Sequence, residues 1–325
     1  MNSNSKTRGA LMGAILAGGR GTRMWPFSTT YPKPLLPICN KPVIVHQIEM
    51  MRDVGITDIV ILIGHKGYEI TKALGDGRAL GVRLRYVEQI EMLGIAHAVG
   101  HLEELLDLPF MLFLGDIFFK APRLTELVNA FVGQDVDAVL AAKHELDAQA
   151  IRRNFSVVQT DDGLVGRVIE KPRHPPSSLK GVGLYVFSPT VFDAIRRTPR
   201  TAMRNEYELT DAIQVMINDG QRVGVADMVD EDLNLTNPHD LLAVNLSEAK
   251  VEAGGSLVDA SAHLAAPELV EGSVIGAHAR VLHPIKIIDS LIFDGVEVTA
   301  QHNLYRAIVT ADGILDCSAG PDERT

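Results

Sequence analysis

A glycine-rich turn set directly behind a short apolar run constrains this chain most: Gly13-Ala-Ile-Leu-Ala17 is followed at once by Gly18, Gly19, Arg20 and Gly21. Backbone N–H groups converge on a phosphate only where no Cβ blocks the approach and positive φ is cheap, and three glycines in four positions supply both conditions. From Ala10 through Ile48 there is no Asp or Glu, while Arg20, Arg23, Lys33 and Lys41 all fall in that stretch of a protein whose formal net charge is -10. A cationic island in an acidic chain is a place for phosphates. Spacing excludes two better-known glycine loops. The dinucleotide fingerprint needs glycine where Met24 stands, and the Gly-Lys-Ser/Thr of the P-loop is missing.

Apolar runs alternate with amphipathic segments along the rest of the chain. Residues 13–17, 59–63, 110–114 and 136–142 read as buried strands, Ile44, Ile48 and Met51 fall at helical spacing, and so do Ala98, Leu102 and Leu105. Strand-then-helix order predicts an α/β fold, a Rossmann-like, mostly parallel mixed sheet with helices on both faces. Ligands in such sheets sit beyond the carboxyl ends of the strands, where the Gly-Arg turn and Asp116 both fall.

At 325 residues the chain has room for a large domain and a smaller one. Two cysteines, Cys39 and Cys317, are too few for a disulfide framework, so a cytoplasmic location is expected. The polar stretch before Met12 has no signal-peptide core, and no apolar run of about 18 residues is present, so no membrane association is expected. The acidic balance argues against nucleic acid as a partner.

The pattern Leu16-Ala-Gly-Gly-x-Gly-Thr-Arg23, then Pro32-Lys-Pro-Leu-Leu-Pro-Ile38, then Asn40-Lys-Pro-Val43, resembles the sugar-1-phosphate nucleotidyltransferases, especially their thymidylyl- and uridylyltransferase branches. Leu114-Gly-Asp116, Glu170-Lys-Pro172, Gly183-Leu-Tyr-Val-Phe187 and Glu206-Tyr-Glu-Leu-Thr-Asp211 recur in that family's order. The resemblance implies a catalytic domain over 12–245, after a leader at 1–11, and the substrates nucleoside triphosphate and sugar 1-phosphate.

It also implies site residues. Leu16, Ala17, Gly18, Gly19, Gly21, Thr22 and Arg23 would hold nucleotide, and Arg23, Lys33, Asp116 and Lys171 would carry catalysis. Asp116 would bind Mg²⁺, or is simply a turn aspartate. Asp232-Leu-Asn-Leu-Thr-Asn-Pro-His-Asp240 resembles the late metal motif with Asn234 at the ligand position and Asp232 as a fallback. Gly94-Ile-Ala-His-Ala98 resembles a base-reading motif in which His97 replaces glutamine; the alternative is that His97 caps or packs its helix. Glu170, Lys171, Ser156, Val182 and Tyr185 fall at sugar-phosphate positions, and Ser156, Ile117, Gly181 and Val182 depart from the commonest residues there.

Past residue 245 short Val/Ile/Gly/Ala units set in. Residues 275–281 and 292–298 each return an aliphatic residue after six positions, as in hexapeptide left-handed β-helices, but eleven residues separate Val281 from Ile292. A short irregular helix of this kind over 246–312, a disordered tail at 313–325 and a homo-oligomer, dimer or tetramer, are expected. An appended acyltransferase using His278, His283 or His302 would need more coils. The chemistry expected is Mg²⁺-dependent transfer of a nucleotidyl group from dTTP or UTP to a sugar 1-phosphate. The alternatives are guanylyl transfer to a mannose-type phosphate and a regulatory homologue that only binds these ligands.

Overall fold

The computed structural model of the protein describes residues 11–202 and 204–319. The expected leader, Leu11 apart, and the end of the expected tail lie outside them. The chain divides into two compact units, one of residues 11–20 with Gln47–Asp232 and the other of Gly21–His46 with residues 233–319. This differs from the division at residue 245 read from composition, because Gly21–His46 joins the C-terminal part.

The first unit is built on a nine-stranded sheet. Its strands are β1 (Met12–Ala17), β2 (Asp58–Ile63), β3 (Arg83–Glu88), β4 (Phe110–Leu114), β5 (Ala138–His144), β6 (Phe155–Gln159), β7 (Val165–Glu170), β8 (Leu179–Phe187) and β9 (Val223–Asp227). The order β7-β6-β8-β4-β1-β2-β3 forms the main path, with β5 paired to β8 off this path and β9 paired to β5. Strands β1 to β4 are mutually parallel, whereas β8 runs antiparallel to β4, β5 and β6. The mixed, parallel-dominated Rossmann-like sheet expected from the apolar runs is therefore present.

The helices are α1 (Val43–Asp53), α2 (Gly67–Leu74), α3 (Ile95–Gly100), α4 (Leu124–Gly133), α5 (Ala148–Arg153), α6 (Val191–Arg197), α7 (Leu209–Asn218) and α8 (Pro238–Ala253). Ile44, Ile48 and Met51 of α1 are fully buried, as their spacing required. One core joins Ala98, Leu112, Leu140, Val157, Phe187, Phe192 and Ile213, with α3, α6 and α7 contributing. No helix among the described residues is long and apolar enough to cross a membrane.

In the second unit α8 opens with a reciprocal capping box between Asn237 and Asp240. Three ladders of short parallel strands follow, and their register advances by 17 residues: Leu257, Val274, Leu291 and Ile308 align, as do Leu264, Val281 and Val298, and Val270, Ile287 and Leu304. A coil one residue short of three hexapeptides explains why a strict period of six fails between Val281 and Ile292. Three serines, Ser273 and Ser290 of them fully buried, reinforce the register. The Ser256 hydroxyl accepts from Ser273 N–H, Ser273 from Ser290 N–H, and Ser290 from Ala307 N–H. Gly313–Asp316, which composition placed in a disordered tail, is a strand paired antiparallel with Ala307–Thr310. A local backbone ladder outweighs the polar sequence there.

Candidate active site

Strand ends in the first unit gather several of the residues expected to meet nucleotide. Gly115 N–H donates to Leu16 O at 2.9 Å, and a Cβ on Gly115 would lie 2.6 Å from that oxygen. A Cβ on Gly64, just past β2, would lie 2.6 Å from Gly18 O. Only glycine tolerates backbones this close. The ends of β1, β2 and β4 thus meet around Leu16, Ala17, Gly18 and the Leu114-Gly-Asp116 turn. Buried Gln47 clamps that turn, donating from Nε2 to Leu114 O at 2.9 Å and Ile117 O at 2.8 Å, which fixes half-exposed Asp116 between its anchors.

Gln89, immediately after β3, was not singled out from sequence. Its amide oxygen lies 3.3 Å from where a Gly18 Cβ would stand, and its Nε2 is 3.2 Å from His97 Nδ1. Burial, followed by the charge of His101, lowers the His97 pKa, so near neutral pH the ring is uncharged and Nδ1 can accept that hydrogen bond. His97 therefore lies behind a carboxamide that faces the glycine turn. Position was the available signal, since glutamine directly past a parallel strand stands where ligands are met. Gly94 has φ +111°, and a Cβ there would strike Tyr207 O at 2.5 Å. Replacing Gln89 with Ala is expected to raise the KM for nucleotide on the order of tenfold, the loss of a bond or two at about 1 kcal/mol each. Initial rates against each substrate check this; the sugar-phosphate KM should not move.

Glu170 and Lys171, expected on the sugar side, lie at the end of β7. Lys171 takes a left-handed φ of +41°, its N–H donates to Asn154 O at 2.7 Å, and its ammonium lies 3.6 Å from Glu170 Oε1. Glu170 accepts from Thr210 Oγ1 and Arg204 Nη1, and Arg204 also pairs with buried Glu208 at 2.7 Å. Burial and the Glu208 charge raise the Glu170 pKa, against the opposing pull of Lys171 and Arg204. Asp211 is raised by the same two influences.

Three sugar-position residues have little or no exposed side chain. Ser156 is 0% and Val182 1% exposed, leaving them the backbone or a supporting role. Tyr185 is 3% exposed and stacks on Phe155 and Phe187. It belongs to the core rather than to a ligand surface, which corrects the expectation of a sugar contact. Asp232 is likewise committed elsewhere: Lys180 Nζ donates to its two oxygens at 2.7 and 2.9 Å, with Lys143 Nζ 3.8 Å away. Glu145 lies 3.8 Å from each lysine, closing a ring of alternating charge. With its side chain 1% exposed, Asp232 does not serve as the fallback metal ligand.

In the second unit Gly21 has φ +60°, and its Cβ would touch Lys33 Cβ at 3.4 Å, so the two motif ends are neighbours. Exposed Thr22 and Arg23 ride a 3-10 turn closed by Met24 N–H to Gly21 O, and half-exposed Lys33 starts another, Lys33–Leu35. Exposed Asn234 accepts from Thr236 N–H through its carbonyl, and Asp240 Oδ2 holds Thr236 N–H and Asn237 N–H. The capping box thus fixes the turn that carries Asn234. Among the described residues no three His, Cys, Asp or Glu side chains gather as a metal cage. Asp116, in the first unit, offers a hard carboxylate oxygen, and Asn234, in the second, a carboxamide oxygen; each is a donor of the kind Mg²⁺ accepts, with phosphates and water completing its shell.

The nucleotidyl transferase family model matches residues 12–248, and the chain belongs to that family. It is 37% identical over 255 residues to the low-salt glycan biosynthesis nucleotidyltransferase Agl11 of Haloferax volcanii, covering 77% of this chain and 70% of that protein. It is 35% identical over 282 residues to a glucose-1-phosphate thymidylyltransferase of Streptomyces griseus, covering 84% and 76%. A crystal structure of UDP-glucose pyrophosphorylase complexed with UDP-glucose shares the fold, with a TM-score of 0.67 at 21% identity over 75% of this chain and 100% of that one.

Proposed function

We propose that the protein transfers a nucleotidyl group from dTTP or UTP to a sugar 1-phosphate, releasing pyrophosphate, with Mg²⁺ as cofactor. The observation that carries this reading is the meeting of Gly18, Gln89 and the Gly115-Asp116 turn at the carboxyl ends of parallel strands, joined to membership of the family. A carboxamide oxygen beside the turn suits the imide N–H of thymine or uracil.

Catalysis on this reading is positioning plus charge. A phosphate oxygen of the sugar 1-phosphate attacks the α-phosphorus in line, the new O–P bond forms, and the bond to the β-phosphate oxygen breaks. No nucleophilic side chain or general base is required, because the attacking phosphate is already ionised. Lys171 holds the incoming phosphate, with Glu170 accepting from sugar hydroxyls. Lys33 meets the α-phosphate, and Arg23 meets the leaving pyrophosphate. Each cation offsets repulsion between two polyanions and stabilises charge spreading over the equatorial oxygens. Asp116 and Asn234 would hold Mg²⁺, which would supply further neutralisation of the triphosphate.

The three ladders with a 17-residue register support reading the C-terminal segment as a short left-handed β-helix, and a homo-oligomer in the cytoplasm is the natural setting. Pyrophosphate release measured over five nucleoside triphosphates and several hexose 1-phosphates tests the function. Release that needs both substrates and favours dTTP or UTP supports it. Preference for GTP with mannose 1-phosphate supports the guanylyl alternative, and no release with any pair contradicts catalysis.

A further inference from the structure

The loop that carries Arg23 and Lys33 has little regular structure of its own. It is made of three 3-10 turns, Thr22–Met24, Phe27–Thr29 and Lys33–Leu35, and a two-rung pairing of Pro37–Ile38 with Lys41–Pro42. Such a segment cannot hold two cationic side chains in place without support.

Within the second unit, support comes from several separate pieces of chain. The Phe293 ring, 4% exposed, packs against Phe27 at a centroid distance of 6.0 Å and meets Tyr31 edge-on at 5.2 Å. Tyr31 also faces the Asp312 and Asp294 carboxylates, whose charge adds to burial in raising its phenol pKa. Asn40 Nδ2 donates to Ile275 O at 2.9 Å, a rung of the first ladder. Asn245 of α8, fully buried, accepts from Cys39 N–H at 2.9 Å and donates to Pro37 O and Leu241 O, both at 2.9 Å. Ladder, coil corner and helix therefore all end on this one loop.

We propose that the C-terminal repeat and α8 form the platform that holds the Gly21–Lys41 loop in its working shape, with Phe293, Asn245 and the Asn40–Ile275 contact as positioning elements. The repeat then contributes to nucleotide chemistry from beneath the loop, whatever part it plays in association. The proposal rests on the reading of Arg23 and Lys33 as phosphate-binding groups. Displacing a catalytic group by about 1 Å costs roughly 100-fold in rate, which sets the size of effect a lost prop should have.

Trp25, the sole tryptophan, is 70% exposed and lies between Arg23 and Phe27, so its emission reports on the loop directly. The test titrates the full-length protein with inorganic pyrophosphate while following Trp25 fluorescence, alongside steady-state kinetics and a thermal melt. Asn40→Gly, which keeps the φ of +63° unstrained, and Phe293→Leu are compared with Arg23→Ala and with Glu297→Ala, which alters only an exposed ion pair to Arg280 on the repeat. Asn40→Gly removes the side-chain hydrogen bond to Ile275 O and keeps the test alive should Phe293→Leu fail to fold.

The expected result is pyrophosphate affinity about tenfold weaker and kcat lower by roughly 10- to 100-fold in both platform variants, with the KM for sugar 1-phosphate unchanged and Glu297→Ala like the parent. A role confined to stability would lower the melting temperature and leave pyrophosphate affinity and kcat intact in folded protein; that outcome overturns the proposal. If Arg23→Ala weakens pyrophosphate binding while the platform variants do not, only the platform falls. If Arg23→Ala has no effect either, the phosphate-binding reading falls with it.

Discussion

Lys171→Ala is expected to lower kcat/KM for sugar 1-phosphate on the order of 100- to 1,000-fold, the range found when one group that meets developing charge is removed. Nucleotide affinity should stay near that of the parent, because Lys171 lies with Glu170 and Asn154 at the end of β7, and Gln89 and His97 lie together past β3. Initial rates with each substrate varied, together with calorimetric titration of nucleotide, separate the two effects. Equal loss on both sides would place Lys171 elsewhere in the chemistry. The change has a second signature. Lys171 pulls the Glu170 pKa down against burial and Glu208, so its removal moves that already raised pKa further up. A raised carboxyl pKa favours the protonated form, so the acid limb of any remaining activity should shift to higher pH.

Lys180→Met is expected to destabilise the protein by about 3 to 5 kcal/mol, the cost of leaving a buried carboxylate without its main partner. Asp232 would keep only Lys143 at 3.8 Å in place of a two-pronged ammonium contact at 2.7 and 2.9 Å. The pair Lys180→Met with Asp232→Leu should recover most of the loss, since removing both charges leaves none of the pair unpaired. Urea denaturation of the four proteins closes this cycle. Additive losses in the double variant would mean that the two side chains do not act as a pair.

How far the sequence alone reached depended on whether the signal was local. Continuous apolar runs at 59–63 and 110–114 became β2 and β4 with shifts of one residue or none, and Ile44, Ile48 and Met51 marked α1, because burial imposes those periods directly. Glycine placement at 115 was equally legible, the close approach of the Leu16 backbone admitting no other residue. Gln89 was not, since a single glutamine belongs to no pattern until β3 sets it beside Gly18. The Lys180–Asp232 pair joins positions 52 residues apart, and each reads alone as an ordinary polar residue. Tyr185 sat in a motif whose order suggested the sugar, while all nine residues of β8 are buried, so strand position alone does not tell a core side chain from a ligand-facing one. Grouping Gly21–His46 with the C-terminal part depends on Phe293, Ile275 and Asn245, more than 200 residues away in the chain.

The central claim is that transfer at the α-phosphorus is direct, driven by charge and alignment with no side-chain nucleophile. The most direct measurement is the stereochemical course with a nucleoside triphosphate chiral at the α-phosphorus by sulfur substitution. A single in-line displacement predicts inversion of configuration in the nucleotide-sugar product. Retention would require two displacements through a covalent nucleotidyl-enzyme, and would contradict the account.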